Sequence, residues 1–325
     1  MDMVTLDDIR AAAIRIAPVA LRTPLLSQPW FTERELWLKP ENLQHIGAFK
    51  IRGAYNAIAA LDDGARARGV VAYSSGNHAN AVARAAKEFG IPATIVMQES
   101  TPRVKVEATA AHGAEIIEVP MAEREAVAHE IAERRGLALV PPFDHPDVIA
   151  GQGTIGLEIA TDMPEVGVVL VPVAGGGLAS GIGVAMKALC PDARVFAVEP
   201  ELAADTAAGL LAGHRVHWPA EQRARTIADG LRTEPSELTF AHLREVIDGV
   251  ITVSEEEIRA SMRLLATRAR LVAEPSGAVS AAAAFFHGGE LPAGRTVAVI
   301  SGGNVDPALL AEVLVSTPRA GVAGA

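Results

Sequence analysis

A single cysteine, Cys190, stands among the 325 residues, which excludes an intrachain disulfide framework and any cysteine-rich metal cluster. The chain also lacks an apolar run of membrane-spanning length and any dense run of lysine and arginine. With a formal net charge of -10, nucleic acid and anionic membrane are not expected partners. The opening "MDMVTLDDIR" is acidic and lacks the apolar core of a signal peptide, so the expected location is the cytoplasm. Repeats and low-complexity linkers are missing too. What remains is a composition half hydrophobic and about a fifth charged, that of a folded protein long enough for two lobes.

Short apolar runs alternate with alanine-rich stretches along the chain. "TLDDIRAAAIRIAPVAL" opens with Thr5 and carries Asp8 three residues later, a capping box before an amphipathic helix. Strands are expected within "GVVAYSS" (69–75), "PATIVMQ" (92–98), "AEIIEV" (114–119), "GVVLVPVAGGG" (167–177), "RVFAVEP" (194–200), "GVITVS" (249–254) and "RTVAVISGG" (295–303). Because these runs are apolar on both faces and separated by helices, they imply parallel sheets covered on both sides, the α/β class. The prolines of "LVPPFDHPD" (139–147) mark a candidate hinge, and "TPRAGVAGA" at the end reads as a frayed tail.

Three stretches carry chemistry. "VVLVPVAGGGLASG" is a strand running into glycines and a helix start, where bare backbone N–H groups and the helix dipole suit a phosphate. A rival reading takes Gly175, Gly177 and Gly181 with Glu199 as a dinucleotide fingerprint, which would make the chain an NAD(P) oxidoreductase. "AYSSGNHANAV" sets Ser74, Ser75, Gly76, Asn77 and His78 between a strand and a helix, a second anion-friendly turn that suits a carboxylate; an ordinary N-cap is the bland alternative. "IGAFKIRGAYNA" buries one lysine, Lys50, among apolar neighbours, and a desolvated lysine is a nucleophilic amine able to form a Schiff base. A phosphate cradle, a carboxylate cradle and such a lysine together are what pyridoxal phosphate and an amino-acid substrate require.

"KPENLQHIGAFKIRGAYNAI", "SSGNHANAVARAAKEFGIPATIVM", "DVIAGQGTIGLEI", "VPVAGGGLASG", "DGLRT", "AEPSGA" and "SGGNVD" occur in this order. Together they resemble the serine/threonine dehydratase and serine racemase family, the fold-type II pyridoxal-phosphate enzymes, from about Leu21 to Asp306. The resemblance implies an α/β protein of two lobes, similar to the β subunit of tryptophan synthase, with twisted, mostly parallel sheets flanked by helices. Residues 1–59 and 146–325 would form the large cofactor-binding domain and residues 60–145 the small one. It implies that Lys50 carries the cofactor and later acts as a base at Cα, that Phe49 lies beside the ring, and that Asn77 hydrogen-bonds the phenolic oxygen. Gly175, Gly176, Gly177 and Leu178 would hold the phosphate through backbone N–H groups, Ser301 would face the pyridine nitrogen, and Glu274 would lie near the ring. Ser74, Ser75, Asn77 and His78 would surround the substrate carboxylate, with Ser75 a second catalytic residue on the face opposite Lys50, able to supply the proton that racemisation needs.

Two positions depart from the family pattern: Ala48 replaces a usual serine before the Phe-Lys pair, and Ala174 replaces a common first glycine of the phosphate loop. The implied reaction is deamination of L-threonine or L-serine. Serine racemisation and 3-hydroxyaspartate ammonia-lyase activity are alternatives, the latter needing a further cation such as His45 or an arginine. A pyridoxal-phosphate binder without catalysis is a further one. Glu199, the Ala203 carbonyl and Asp205 resemble the family's divalent-cation site, for Mg2+ or Ca2+. A homodimer or homotetramer is expected on the same ground.

Overall fold

The valine-rich runs form two sheets in the computed structural model, which describes residues 3–316. The strands are β1 (Leu26–Ser27), β2 (Leu36–Pro40), β3 (Val70–Tyr73), β4 (Ala93–Gln98), β5 (Glu115–Val119), β6 (Ala138–Leu139), β7 (Val168–Pro172), β8 (Arg194–Pro200), β9 (Gly249–Val253) and β10 (Thr296–Ile300). One sheet has the order β1-β2-β10-β7-β8-β9, and the other β5-β4-β3-β6. Every pairing is parallel except that of β1 with β2.

Alternation along the strands splits each sheet's side chains between two cores. In the larger sheet, Leu170, Val198, Ala298 and Ile300 pack against the helices Glu255–Leu264 and Pro275–Phe286. Val169, Val195, Val297 and Val299 face the other way, onto the helices Pro146–Asp162 and Gly177–Leu189. In the smaller sheet, Val70, Ala72, Ile95 and Met97 meet the helices Lys50–Ala59 and Asn77–Phe89, while Val71 and Val96 meet Ala128 and Ile131 of the helix Arg124–Arg135. All seven expected strands are present in this α/β architecture. The capping box is present as well: the Asp8 N–H donates to Thr5 Oγ1 and the Thr5 N–H to Asp8 Oδ2.

β1, β2 and β6 are additional to the strands the sequence led us to expect. The proline-rich segment 139–147 is tied down at both ends: β6 includes its first residue, and the helix from Pro146 its last two. Among the described residues no helix is long and apolar enough to cross a membrane. The stretch "TPRAGVAGA" lies outside the described residues.

Candidate active site

Four of the motifs singled out by sequence follow the carboxyl end of a parallel strand, the end at which α/β sheets bind ligands. β2 leads to the loop before Lys50, β3 to the Ser-Ser-Gly-Asn turn, β7 to the glycine turn and β10 to "SGGN".

Lys50 begins the helix Lys50–Ala59. The loop before it is stitched to the loop after β10. Ala48 bridges Gly302, the Phe49 N–H donates to the Ser301 carbonyl at 3.0 Å, and the Gly303 N–H donates to the Gly47 carbonyl at 2.8 Å. Gly47 has φ +74, and a Cβ there would stand 2.4 Å from Asn304 Oδ1, so only glycine fits the crossing. The Lys50 amine donates to the Pro142 carbonyl at 2.7 Å and lies 5.1 Å from the centre of the Phe49 ring. No carboxylate among the described residues accepts from it, and burial pulls its pKa down to about 8. The amine is therefore a usable nucleophile and base near neutral pH.

Two residues on, Arg52 is fully buried in the opposite setting. Its Nε and Nη2 each donate at 2.8 Å to Glu41, and Nη1 and Nη2 donate to Glu158 at 2.7 and 3.0 Å. Lys39 joins through Glu158 Oε2 at 2.5 Å and the Thr23 carbonyl at 2.6 Å. Burial opposes the charge on Arg52, but the two glutamates outweigh it and raise its pKa. The cluster ties β2, the Lys50 helix and the helix Pro146–Asp162 together.

Gly176 caps the helix Gly177–Leu189 at φ +87, where a Cβ would also press on Thr239 at 2.9 Å. A Cβ on Gly175 would stand 2.3 Å from the Phe143 ring, and one on Gly177 3.0 Å from Phe143 Cβ. The turn is thus a backbone cradle between Phe143 and Thr239, and the first N–H groups of its helix have no intrahelical acceptor. Leu178 packs into the core beside Leu243. Ala174 keeps a negative φ, so its departure from glycine strains nothing, and Ala48 is wholly buried at the bridge to Gly302. Gly181 belongs to helix packing instead: a Cβ would meet the Ile149 carbonyl at 2.3 Å. Glu199 is buried and accepts from the Thr206 and Ala207 N–H groups. The dinucleotide reading thus loses both its third glycine and its acid.

In the Ser-Ser-Gly-Asn turn, Ser74 Oγ accepts from the Gly76 N–H and Ser75 Oγ from the Gln98 N–H, both at 3.2 Å. A serine hydroxyl that accepts can still donate. His78 is buried, with Nε2 2.8 Å from the Val140 carbonyl; burial and then the Lys50 charge drive its pKa down to about 3, so its ring is neutral. The Asn77 amide donates to Glu274 Oε1 at 2.6 Å and accepts from Asn304 Nδ2 at 2.7 Å. Glu274 is buried, and burial followed by repulsion from Asp229 pushes its pKa up to about 7. Ser301, at the end of β10, is buried 3.4 Å from the Ser276 carbonyl. His45 is exposed.

Glu199 and Asp205 stand apart from these contacts, at the end of β8 and the start of the helix Asp205–Ala212, with Ala203 buried between them. Burial raises both carboxyls, Glu199 to about 8 with Asp205 adding repulsion, and Asp205 to about 7. Asp205 Oδ2 is buried with no hydrogen-bond partner among the described residues. Among the described residues no cluster of three or more histidine, cysteine or acidic side chains could hold a metal, so a cation here would take two carboxylates, a carbonyl and water.

Sequence reasoning missed Phe143, Asn304 and the Arg52 cluster. Asn304 stood inside a quoted motif, but its partner Asn77 is 227 residues away.

The family model described as "Pyridoxal-phosphate dependent enzyme" matches residues 16–302. The L-threo-3-hydroxyaspartate ammonia-lyase of Saccharomyces cerevisiae is 42% identical over 308 residues, covering 93% of this chain and 94% of that one. The L-threonine ammonia-lyase of Thermotoga maritima is 43% identical over 318 residues, covering 96% of this chain and 78% of that one. The structure of maize serine racemase superposes with a TM-score of 0.91 at 40% identity, covering 96% of this chain and 97% of that one.

Proposed function

Because the chain belongs to the pyridoxal-phosphate dependent enzymes, with their fold-type II architecture, we propose that it deaminates L-threonine or L-serine to a 2-oxo acid and ammonia. The observation that carries this is the Lys50 amine, partly buried, unpaired with any carboxylate among the described residues and lowered to about pKa 8 by desolvation. The glycine cradle supports it, because its backbone runs too close to Phe143 and Thr239 to admit a Cβ and opens a helix whose first N–H groups have no intrahelical acceptor and suit a phosphate.

Lys50 would bind the cofactor, with Phe49 beside it and Asn77 donating to its phenolic oxygen. Gly175, Gly176, Gly177 and Leu178 would hold the phosphate through N–H groups, and Ser301 would face the ring nitrogen. When bound, the cofactor supplies an electron sink for the bonds at the substrate Cα. Ser74, Ser75 and the N–H groups at the start of the helix Asn77–Phe89 would hold the substrate carboxylate. His78, neutral and bonded to Val140, would shape this pocket without adding charge. The Lys50 amine would take the Cα proton. The Cβ–O bond then breaks with its electron pair on oxygen, and a proton completes the departing water. Hydrolysis of the released enamine consumes one water, so the net products are the 2-oxo acid and ammonia.

Serine racemisation and deamination of 3-hydroxyaspartate are the competing readings, since relatives carry all three names. The partnerless Asp205 Oδ2 supports Mg2+ or Ca2+ binding by Glu199, Asp205 and the Ala203 carbonyl, as a structural ion.

The test is an absorbance spectrum of the purified protein with pyridoxal phosphate, followed by product assays on L-threonine, L-serine and 3-hydroxyaspartate. A near-violet band that Lys50→Ala loses, with 2-oxo acid formed from threonine or serine, is the expected result. D-serine as the main product, or turnover of 3-hydroxyaspartate alone, would overturn the substrate assignment.

A further inference from the structure

Asn77 has both ends of its amide committed, and the two commitments agree. Its Nδ2 donates to Glu274 Oε1 at 2.6 Å, and its Oδ1 accepts from Asn304 Nδ2 at 2.7 Å. Ionised, Glu274 cannot donate and selects the NH2 end, so this side of the lock is complete above the Glu274 pKa of about 7; the Asn304 NH2 selects the oxygen end at any pH. Flipping Asn77 would set oxygen against carboxylate and NH2 against NH2. Asn304 is itself fixed, because its other hydrogen goes to the Ile46 carbonyl at 2.8 Å in the loop before Lys50. Glu274 is seated by its own N–H, which donates to the Gly302 carbonyl at 3.1 Å. Gly302 leaves room for this arrangement: a Cβ there would stand 2.2 Å from Glu274 Oε1 and 3.2 Å from Asn77 Nδ2. Of the two hydrogens on Asn77 Nδ2, one is used and one remains.

We infer that Glu274 and Asn304 are positioning residues that lock the Asn77 amide in one orientation, leaving a single N–H for the phenolic oxygen of the cofactor. This rests on the cofactor reading above. Neither residue needs to touch the reacting atoms. Their effect passes through Asn77, and through Asn304 it is registered to the backbone that sets Lys50.

The experiment uses the full-length holoenzyme and reads the absorbance of the Lys50-bound cofactor, whose near-violet band depends on a donor at the phenolic oxygen. Glu274→Ala, Asn304→Ala and Asn304→Asp are expected to move intensity from the violet band to the ultraviolet and to weaken retention of cofactor on dialysis by about tenfold, the scale of one lost hydrogen bond. Glu274→Gln keeps an oxygen that accepts from Asn77 and is expected to keep the violet band. Wild-type spectra in Asn304→Ala and Asn304→Asp would overturn the inference, as would equal damage from Glu274→Gln and Glu274→Ala. Should Glu274→Ala fail to fold, the two Asn304 variants decide. If wild-type protein forms no violet band with pyridoxal phosphate, the cofactor reading itself fails. If it does, and Lys50→Ala loses the band while the Asn304 variants do not change it, only the positioning inference fails.

Discussion

Lys50 and Arg52 stand two residues apart at the start of one helix, and the fold treats their charges in opposite ways. Arg52 is gripped by Glu41 and Glu158, with Lys39 closing the cluster. Lys50 has a carbonyl and an aromatic ring for company and no counter-ion among the described residues. One cation is stabilised as a cation, and the other is pushed toward neutrality. Burial alone therefore does not make a reactive amine; withholding the carboxylate does, and the paired cluster holds the helix so that the unpaired residue stays where it is needed.

The largest effect that can break this contrast is removal of the amine. Lys50→Ala should lower turnover at least about 10³-fold while the protein stays folded, checked by product assay and circular dichroism. Next comes removal of the paired cation. Arg52→Ala strands Glu41 in the interior without a contacting cation and leaves Glu158 to Lys39 alone, and should cost about 3–5 kcal/mol of folding stability, read from the urea midpoint. Replacing Arg52 and Glu41 together with Met and Gln should recover part of that loss, because fewer charges are left unpaired.

A subtler measurement sharpens the contrast by pH. In protein freed of cofactor, acylation of Lys50 should rise with a midpoint near pH 8 instead of the ordinary 10.5. The unfolded chain holds this proton up to the ordinary value and the folded one does not. The Lys50 contribution to stability should thus rise with pH between about 8 and 10.5. A midpoint at the ordinary value would mean that the amine is solvated or paired. The smallest effect belongs to the partly exposed pair Lys105–Asp229, at 3.3 Å: Lys105→Met should change stability by less than about 1 kcal/mol.

The sequence disclosed the strands that look like strands. Val70–Tyr73 and Val168–Pro172 are nearly all apolar, and each ends in a turn of small residues. It hid Leu36–Pro40, because Lys39 and Pro40 read as solvent and breaker, whereas Lys39 is buried against Glu158 and Pro40 lies on the last register of β2 with β10. Lys50, the glycine turn and Asn77 were legible from local chemistry and resemblance. Phe143 was not, since a ring lying over glycines 32 and 34 residues further on leaves no local trace. Arg52 reads as a surface arginine until Glu41 and Glu158, the latter 106 residues away, are brought to it.

The stitching of residues 46–49 to residues 301–304 also sets an order in time. β2 must wait for β10, whose Thr296 pairs with Leu36, and Lys50 must wait with it. During synthesis the lysine emerges about 250 residues before Ser301, whose loop completes the frame that gives it its setting. Until those residues follow, a growing chain therefore carries its reactive amine as an ordinary solvated lysine. Reactivity arrives late, together with the contacts that confine it.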